Sequence, residues 1–140
     1  MFLLDTNVVS ELRKVRSGKA DPGVSTWASQ TPPGQLFVSV ITTHELEHGV
    51  LLAEHRDPRQ GAILRRWLDD SVMAAFDQRV LSVDASIARR AAAMHVPDPA
   101  PFRDSLIGAT AVVHRMTLVT RNVTDFVRFD DLDVLNPWAG

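Results

Sequence analysis

The stretch FLLDTNVVSEL, residues 2–12, decides the fold class that we expect for this chain. Phe2 to Leu4 is a short apolar run, as in a buried strand. Asp5, Thr6 and Asn7 follow at once, with side chains suited to capping a helix over Val8 to Lys14. We therefore predict a strand that turns directly into a helix, with a carboxylate at the junction.

The same alternation of charge-free strands and capped helices continues along the chain. Leu36 to Ile41 is β-rich and uncharged, which favours a strand buried on both faces, and Thr42 or Thr43 is expected to cap the next helix. A helix from Phe102 to Met116 is apolar on nearly every side, so we expect protein to surround it. Further strands are predicted at 80–83, 117–120 and 134–135, and further helices after Asp21, Asp57 and Asp84. Together these predict an α/β layer fold with a mainly parallel sheet.

The composition is that of an ordinary globular protein. The chain has 140 residues, of which 45 % are hydrophobic and 23 % charged, and we expect residues 1–140 to form one domain. Its formal net charge of −2 gives no overall attraction to nucleic acid. The absence of cysteine excludes disulfides, a thiolate nucleophile and cysteine-bound zinc. Asp5 stands too early for a signal peptide and no stretch suits a membrane span, so a cytoplasmic location is expected.

Residues 44–48 read HELEH, which matches the HExxH pattern of zinc peptidases. In such enzymes His44 and His48 would hold zinc and Glu45 would act as the base. The extended motif fails, because Leu51 stands where it needs glycine and Glu54 where it needs a third histidine. We therefore keep the zinc peptidase as an alternative only.

Four acidic residues occupy equivalent positions in the predicted fold. Each lies at a strand-to-helix junction or at the start of a buried helix: Asp5, Glu45, Asp104 and Asp125. The carboxyl ends of parallel strands open on one edge of the sheet, where ligands of such folds bind. Four anions gathered there would repel one another unless a divalent cation neutralised them. Oxygen ligands favour Mg²⁺ or Mn²⁺, which suit phosphodiester hydrolysis.

Three segments in this order resemble the PIN domain: FLLDTNVVSEL, VSVITTHELEHG and DSLIGATAVVHRMTLVTRNVTDFVRF, followed by VLNPW. More narrowly, they are similar to the VapC toxins of type II toxin–antitoxin pairs, in the FitB-like subgroup. The resemblance spans Phe2 to Trp138, with residues 15–35 and 55–101 carried by helix pattern alone. It implies a three-layer α/β/α fold and an endoribonuclease that depends on Mg²⁺ or Mn²⁺.

The resemblance also implies roles for individual residues and partners. Asp5, Glu45, Asp104 and Asp125 would be the catalytic, metal-binding acids. Supporting polar roles would fall to Thr6 and Asn7 beside the first acid, and to Thr120 and Asn122, which would hold water or orient Asp125. The implied partners are an RNA substrate, a second copy of the chain and a cognate VapB- or FitA-like antitoxin, with which it would assemble on operator DNA. His44 departs from the small or apolar residue expected there.

Two features of the sequence stay open. Arg13, Lys14, Arg16 and Lys19 follow the first helix and either meet RNA phosphates or form a solvated loop. Trp27, Trp67 and Trp138 either fill the core, which we expect, or anchor a dimer interface. Besides the zinc peptidase, a catalytically idle PIN-like binding module is the second alternative. Removing one of the four acids is expected to leave the fold intact or steadier, because repulsion is relieved.

Overall fold

The computed structural model describes residues 1–139 and contains a five-stranded sheet in which every neighbouring pair of strands is parallel. The strands lie in the order β3-β2-β1-β4-β5. Their bounds are Phe2–Leu4 (β1), Leu36–Ser39 (β2), Val80–Leu81 (β3), Thr117–Val119 (β4) and Val134–Leu135 (β5). The predicted α/β class and parallel sheet are confirmed.

The helices connect these strands and cover both faces of the sheet. Their bounds are Thr6–Leu12 (α1), Pro22–Gln30 (α2), Val40–Arg56 (α3), Pro58–Arg66 (α4), Met73–Ala75 (α5), Ala85–Ala93 (α6) and Phe102–Val113 (α7). A π-helical segment, Trp67–Val72, joins α4 to α5, and short 3-10 turns lie at Pro33–Gln35, Val123–Asp125 and Pro137–Ala139. No helix within residues 1–139 is long and apolar enough to cross a membrane.

Successive side chains of each strand enter different cores. Leu3 belongs to the core beneath α6 and α7, whereas Leu4 belongs to the core beneath α1, α3 and α4. Leu118 and Val119 of β4 divide in the same way. This alternation follows from the period of two residues in a strand. It builds the three α/β/α layers that the resemblance implied.

Helix capping agrees with the sequence prediction at most junctions. The side chains of Asp21, Asp57 and Asp84 accept hydrogen bonds from backbone amides at the starts of α2, α4 and α6. The prediction for α3 was wrong in detail: Ser39 caps it, with its Oγ accepting from the Ile41 amide at 3.0 Å, and neither Thr42 nor Thr43 does so. The helix therefore begins at Val40, inside the predicted strand.

Helix α7 is surrounded by protein, as its apolar sequence predicted. All residues from Asp104 to Ala111 are buried. Phe102, where the predicted apolar helix begins, is instead 74 % exposed, because it lies at the first helical position beyond the edge of the core. The three tryptophans are half-buried and pack against the core beneath α1, α3 and α4.

Candidate active site

The strand order brings the ends of β1 and β4 together. The chain runs outward from β1 to β2 and β3, and later returns to place β4 on the other side of β1. Such a reversal leaves a crevice at the carboxyl ends of the two central strands, because the following segments leave in opposite directions. Asp5 follows β1 and Thr120 follows β4, so both residues border this crevice.

Asp5 is completely buried and fixed by two separate elements. Its Oδ1 accepts from the Thr6 amide at 2.8 Å, as expected of a helix cap, and its Oδ2 accepts from Thr120 Oγ1 at 2.8 Å. Its own amide donates to the Val119 carbonyl at 2.9 Å, which continues the pairing of β1 with β4. The carboxylate is thereby held at the edge of the sheet in one orientation.

Glu45 reaches the same crevice from α3. Because α3 begins at Val40, Glu45 lies in the second turn of the helix and not in the first turn, where the sequence placed it. Its Oε1 accepts from Thr6 Oγ1 at 2.6 Å, which ties α3 to α1. Burial raises the pKa of Glu45, but the hydrogen bonds from Arg103 and Thr6 outweigh burial, so the pKa of Glu45 is lowered.

Asp104 enters from the first turn of α7 and is only 7 % exposed. Burial raises the pKa of this carboxyl group, the hydrogen bond from Arg103 opposes that effect, and the charges of Asp125 and Asp5 raise the pKa further. The net pKa of Asp104 is raised. The repulsion among these acids that the sequence predicted therefore contributes to the raised pKa of Asp104.

Arg103 joins the three acids, and it was not among the residues predicted from the sequence. Its guanidinium donates to Glu45 at 2.7 and 2.9 Å and to Asp104 at 3.1 Å, and it also donates to Asp5. Burial lowers the pKa of Arg103, but the hydrogen bonds to Glu45 and Asp5 raise it more. The one signal in the sequence was a basic residue directly before the buried Asp104.

Asp125 stands at the margin of this cluster. It ends the 3-10 turn after β4 and its side chain is exposed. The hydrogen bonds that connect the other three acids within residues 1–139 do not extend to Asp125. Its charge nevertheless raises the pKa of Asp104, which puts the two carboxyl groups within electrostatic range of each other.

The four predicted supporting residues lie around Asp5. Thr6 donates to Glu45, and Thr120 donates to Asp5 rather than to Asp125. Thr120 Oγ1 also accepts from Asn7 Nδ2 at 3.4 Å and from the Asn122 amide at 3.0 Å. Asn122 thus contributes through its backbone, and its carbonyl accepts from the Asp125 amide at 3.1 Å.

The donor set is chemically suited to a hard divalent cation, since it offers carboxylate oxygens and no sulfur. As they stand, however, no three His, Asp or Glu side chains of residues 1–139 are grouped so that they could hold a metal ion. The guanidinium of Arg103 lies between Asp5, Glu45 and Asp104, and it donates to all three. The acids are gathered around an internal cation.

The HExxH residues form no comparable cluster. His44 and His48 lie one turn apart on α3 with ring centroids 6.3 Å apart, and both are exposed. Glu45 is directed to Thr6 and Arg103. Over residues 1–139 no third side chain joins the two histidines in a metal site.

Comparison with known proteins places this arrangement in a family. The model of the PIN domain family matches residues 2–132. The chain belongs to the PIN domain family. The predicted resemblance to VapC and FitB proteins is also confirmed. VapC ribonuclease Y4jK of Sinorhizobium fredii is 33 % identical over 99 % of this chain and 98 % of its own. Toxin FitB of Neisseria gonorrhoeae is 32 % identical over 99 % of both chains.

Solved structures extend the comparison to the whole PIN fold. The structure of FitAB bound to an IR36 DNA fragment superposes with a TM-score of 0.87 at 29 % identity, over 99 % of this chain and 96 % of the other. A toxin–antitoxin complex from Klebsiella pneumoniae gives a TM-score of 0.63 at 27 % identity, over 98 % of both chains. The likeness runs from end to end, so it includes the elements that carry the acids.

A groove beside the acids of this PIN domain carries basic side chains from the end of α1. Thr6, Glu45, Arg13 and Lys14 line it together with the half-buried Trp67. Arg13 lies over the Trp67 ring, with 5.7 Å from its guanidinium carbon to the ring centroid, and Lys14 pairs with Glu11 at 3.2 Å. Of the four basic residues noted in the sequence, these two therefore face the groove.

Proposed function

We propose that this PIN domain is the toxin of a type II toxin–antitoxin pair and acts as a metal-dependent endoribonuclease that hydrolyses RNA phosphodiester bonds. Asp5, Glu45 and Asp104 would hold Mg²⁺ or Mn²⁺, and Asp125 would complete the acidic set. A related protein carries the name ribonuclease and another the name toxin, which supports the same activity here.

The observation that carries this proposal is the meeting of three carboxylates that are distant in sequence. Asp5 follows β1, Glu45 lies in α3 and Asp104 in α7, yet each accepts a hydrogen bond from one guanidinium. Concentrating negative charge at a partly buried point costs free energy, and Arg103 supplies only one positive charge against these three carboxylates. The site therefore favours a cation of higher charge. A bound Mg²⁺ or Mn²⁺ would polarise the phosphate and activate water.

The residues of the chain contribute positioning and charge. Thr6 and Thr120 fix Glu45 and Asp5 by hydrogen bonds, so the carboxylates are oriented before any ligand arrives. Arg13 and Lys14 line the adjoining groove, where they would attract the phosphates on either side of the cleaved bond. No step needs a covalent nucleophile from the protein.

The partners follow by analogy with the relatives. A related toxin–antitoxin complex has been solved, and FitAB has been solved on DNA. We infer that this chain forms a homodimer, binds a small VapB- or FitA-like antitoxin that covers the active-site groove, and assembles with it on operator DNA. A cytoplasmic location agrees with these partners and stays a prediction.

The direct test is cleavage of tRNA and ribosomal RNA by antitoxin-free protein with Mg²⁺, with Mn²⁺ and with EDTA. We expect cleavage with either metal and none with EDTA. Asp5→Asn should lower the cleavage rate by about a hundredfold or more. Asp130→Asn, which makes the same change at an exposed acid, should cleave like the wild type. If Asp5→Asn cleaved at the wild-type rate, the site assignment would be wrong.

The two alternatives make different predictions in the same preparation. A zinc peptidase would contain stoichiometric zinc and lose it in His48→Ala, although no third ligand joins His44 and His48 within residues 1–139. An idle binding module would bind antitoxin or DNA but cleave no RNA with any metal. Metal-dependent cleavage by wild-type protein would exclude the idle module.

A further inference from the structure

We propose that Arg103 is a resident cation of the acidic site and must leave the carboxylates when a divalent cation binds there. The inference rests on the proposed function, because it assumes that Asp5, Glu45 and Asp104 are the metal-binding acids. It adds a competitor supplied by the chain itself. Arg103 would keep the site assembled without metal and would weaken the affinity for metal.

The contacts of Arg103 use all three nitrogens of its guanidinium. Nε donates to Glu45 Oε2 at 2.7 Å, and Nη1 donates to Asp104 Oδ1 at 3.1 Å. Nη2 donates to Glu45 Oε1 at 2.9 Å and also to Asp5 Oδ1. Charge-assisted hydrogen bonds of this kind are the strong ones, so the side chain has a definite place in the site.

Nearly all the oxygens that a metal would use are already hydrogen-bonded. Of the six carboxylate oxygens of Asp5, Glu45 and Asp104, four accept from Arg103 and Asp5 Oδ2 accepts from Thr120. Within residues 1–139 only Asp104 Oδ2 has no protein donor. A cation bound by these acids would therefore compete with the guanidinium for the same oxygens, and the two positive charges would repel each other at short range.

The charges make a divalent cation a stronger counter-ion for the three acids than Arg103 is. The three acids carry a formal charge of −3, which Arg103 reduces to −2 and a divalent cation would reduce to −1. A divalent ion also coordinates several oxygens, and its metal–oxygen distances are shorter than the nitrogen–oxygen distances of hydrogen bonds from a guanidinium. The ion can therefore replace Arg103, but it must first break these hydrogen bonds.

The place of Arg103 on α7 allows it to leave. Its side chain is 31 % exposed, whereas Asp5 is completely buried. Arg103 lies at the second position of α7, next to the exposed Phe102, so its long side chain has solvent on one side. Asp5, in contrast, is fixed by Thr6 and Thr120 and stays in the site. Of the two side chains, Arg103 is therefore the one that we expect to move.

The test compares metal affinity, not catalysis. Wild type, Arg103→Met and Arg103→Lys are titrated with Mn²⁺ by calorimetry, and free Mn²⁺ is counted by electron paramagnetic resonance. Methionine keeps the apolar stem and removes the charge, so Arg103→Met should bind Mn²⁺ roughly tenfold more tightly or better, with Arg103→Lys between it and wild type. The control is Arg65→Met, since Arg65 pairs with Glu47 and Glu54 away from the site, and its Mn²⁺ affinity should equal that of wild type.

A second measurement uses wild-type protein and stands even if Arg103→Met does not fold without metal. The Nε–Hε resonances of Arg103 and Arg65 are followed by NMR during titration with Mg²⁺. The Arg103 resonance should shift on binding and the Arg65 resonance should not. An unmoved Arg103 resonance at saturation, or an Arg103→Met affinity equal to or weaker than that of wild type, would overturn the inference while leaving the metal site standing. If no variant bound metal, the proposed function would fall with it.

Discussion

Thr120 donates a hydrogen bond from Oγ1 to Oδ2 of Asp5 at 2.8 Å, and both residues are completely buried. Asp5 directly follows β1 and Thr120 directly follows β4, so the bond joins the ends of these two neighbouring strands at the base of the crevice. A threonine after a strand is otherwise an ordinary residue. Here its hydroxyl sets the direction of the carboxylate most deeply buried in the site.

Thr120→Val should therefore cost stability. The substitution keeps the shape of the side chain but leaves Asp5 Oδ2 without its donor, and we expect a loss of about 1–3 kcal/mol. The measurement is urea unfolding. The matched control is Thr110→Val: Thr110 is also completely buried, but its hydroxyl donates only to the Leu106 carbonyl within its own helix, so the loss should be smaller. Equal losses would mean that the hydrogen bond to Asp5 stabilises the fold no more than a bond to a carbonyl within one helix does.

Much of the fold could be predicted from the sequence because its signals are local. Charge-free runs mark strands buried on both faces, and Asp21, Asp57 and Asp84 cap helices as their positions indicated. The start of α3 was missed because Ser39 and Thr42 are both capping residues. Nothing local decides between them, whereas the pairing of Ser39 with Leu81 in the sheet does.

The part of the candidate site that follows from the order of strands and helices could be predicted from the sequence. Acids at the ends of parallel strands meet at one edge, and this places Asp5, Glu45 and Asp104 together. Arg103 could not be found in this way. A long, flexible side chain contacts whatever surrounds its tip, and the surroundings of Arg103 are contributed by β1 and α3, about 100 and 60 residues earlier in the chain.

Burial and Arg103 together make Asp104 and Glu45 differ in what their removal should do to stability. The pKa of Asp104 is raised above 3.8, so its ionised form destabilises the folded state at neutral pH. This cost shrinks as the pH falls through the raised value and is gone below 3.8. The pKa of Glu45 is lowered, so its ionised form is stabilising above 4.5. At neutral pH, without metal, Asp104→Asn should be neutral or stabilising by up to about 1 kcal/mol, and Glu45→Gln destabilising by about 1 kcal/mol.

Thermal unfolding of the two variants in EDTA at neutral pH measures this difference. The sequence alone predicted that removal of any acid would leave the fold intact or steadier. A loss of stability in Asp104→Asn as large as that in Glu45→Gln would contradict the assignment of the two pKa directions.

Gly61 permits the close approach of α4 to α3. A Cβ atom at residue 61 would lie 2.4 Å from the backbone Cα of Glu54, which cannot move away without shifting its helix. Gly61→Ala should cost about 1–3 kcal/mol or more, by overpacking. At Gly49, within α3, a Cβ would meet nothing within 4 Å. Gly49→Ala should stabilise the protein by about 0.5–1 kcal/mol. Chemical denaturation measures the change in stability of both variants. Equal changes in Gly61→Ala and Gly49→Ala would contradict this prediction.

Glu11 connects α1 to the start of α2. Its Oε2 accepts from the Asp21 amide at 2.8 Å, and this bond, followed by Lys14, lowers the pKa of Glu11 below 4.5. A lowered pKa means that the ionised group stabilises the fold above 4.5 and that this contribution is lost as the pH falls through the folded-state value. Glu11→Gln should therefore cost about 0.5–1 kcal/mol at neutral pH and less in acid.

Urea midpoints of wild type and Glu11→Gln at neutral pH and well below 4.5 give the two differences. Asp70→Asn serves as the control for loss of one exposed negative charge. A difference between Glu11→Gln and wild type that stayed constant across this range would show that ionisation of Glu11 does not stabilise the fold.

The central claim is that acids from the end of β1, from α3 and from α7 together bind a divalent cation, and anomalous diffraction tests it most directly. Crystals of antitoxin-free protein soaked in Mn²⁺ should show one anomalous peak or a close pair of peaks bounded by oxygens of Asp5, Glu45 and Asp104, with the Arg103 side chain withdrawn. The peak should be absent from Asp5→Asn crystals soaked in the same way. Manganese bound by His44 and His48, with these three acids empty, would contradict the account.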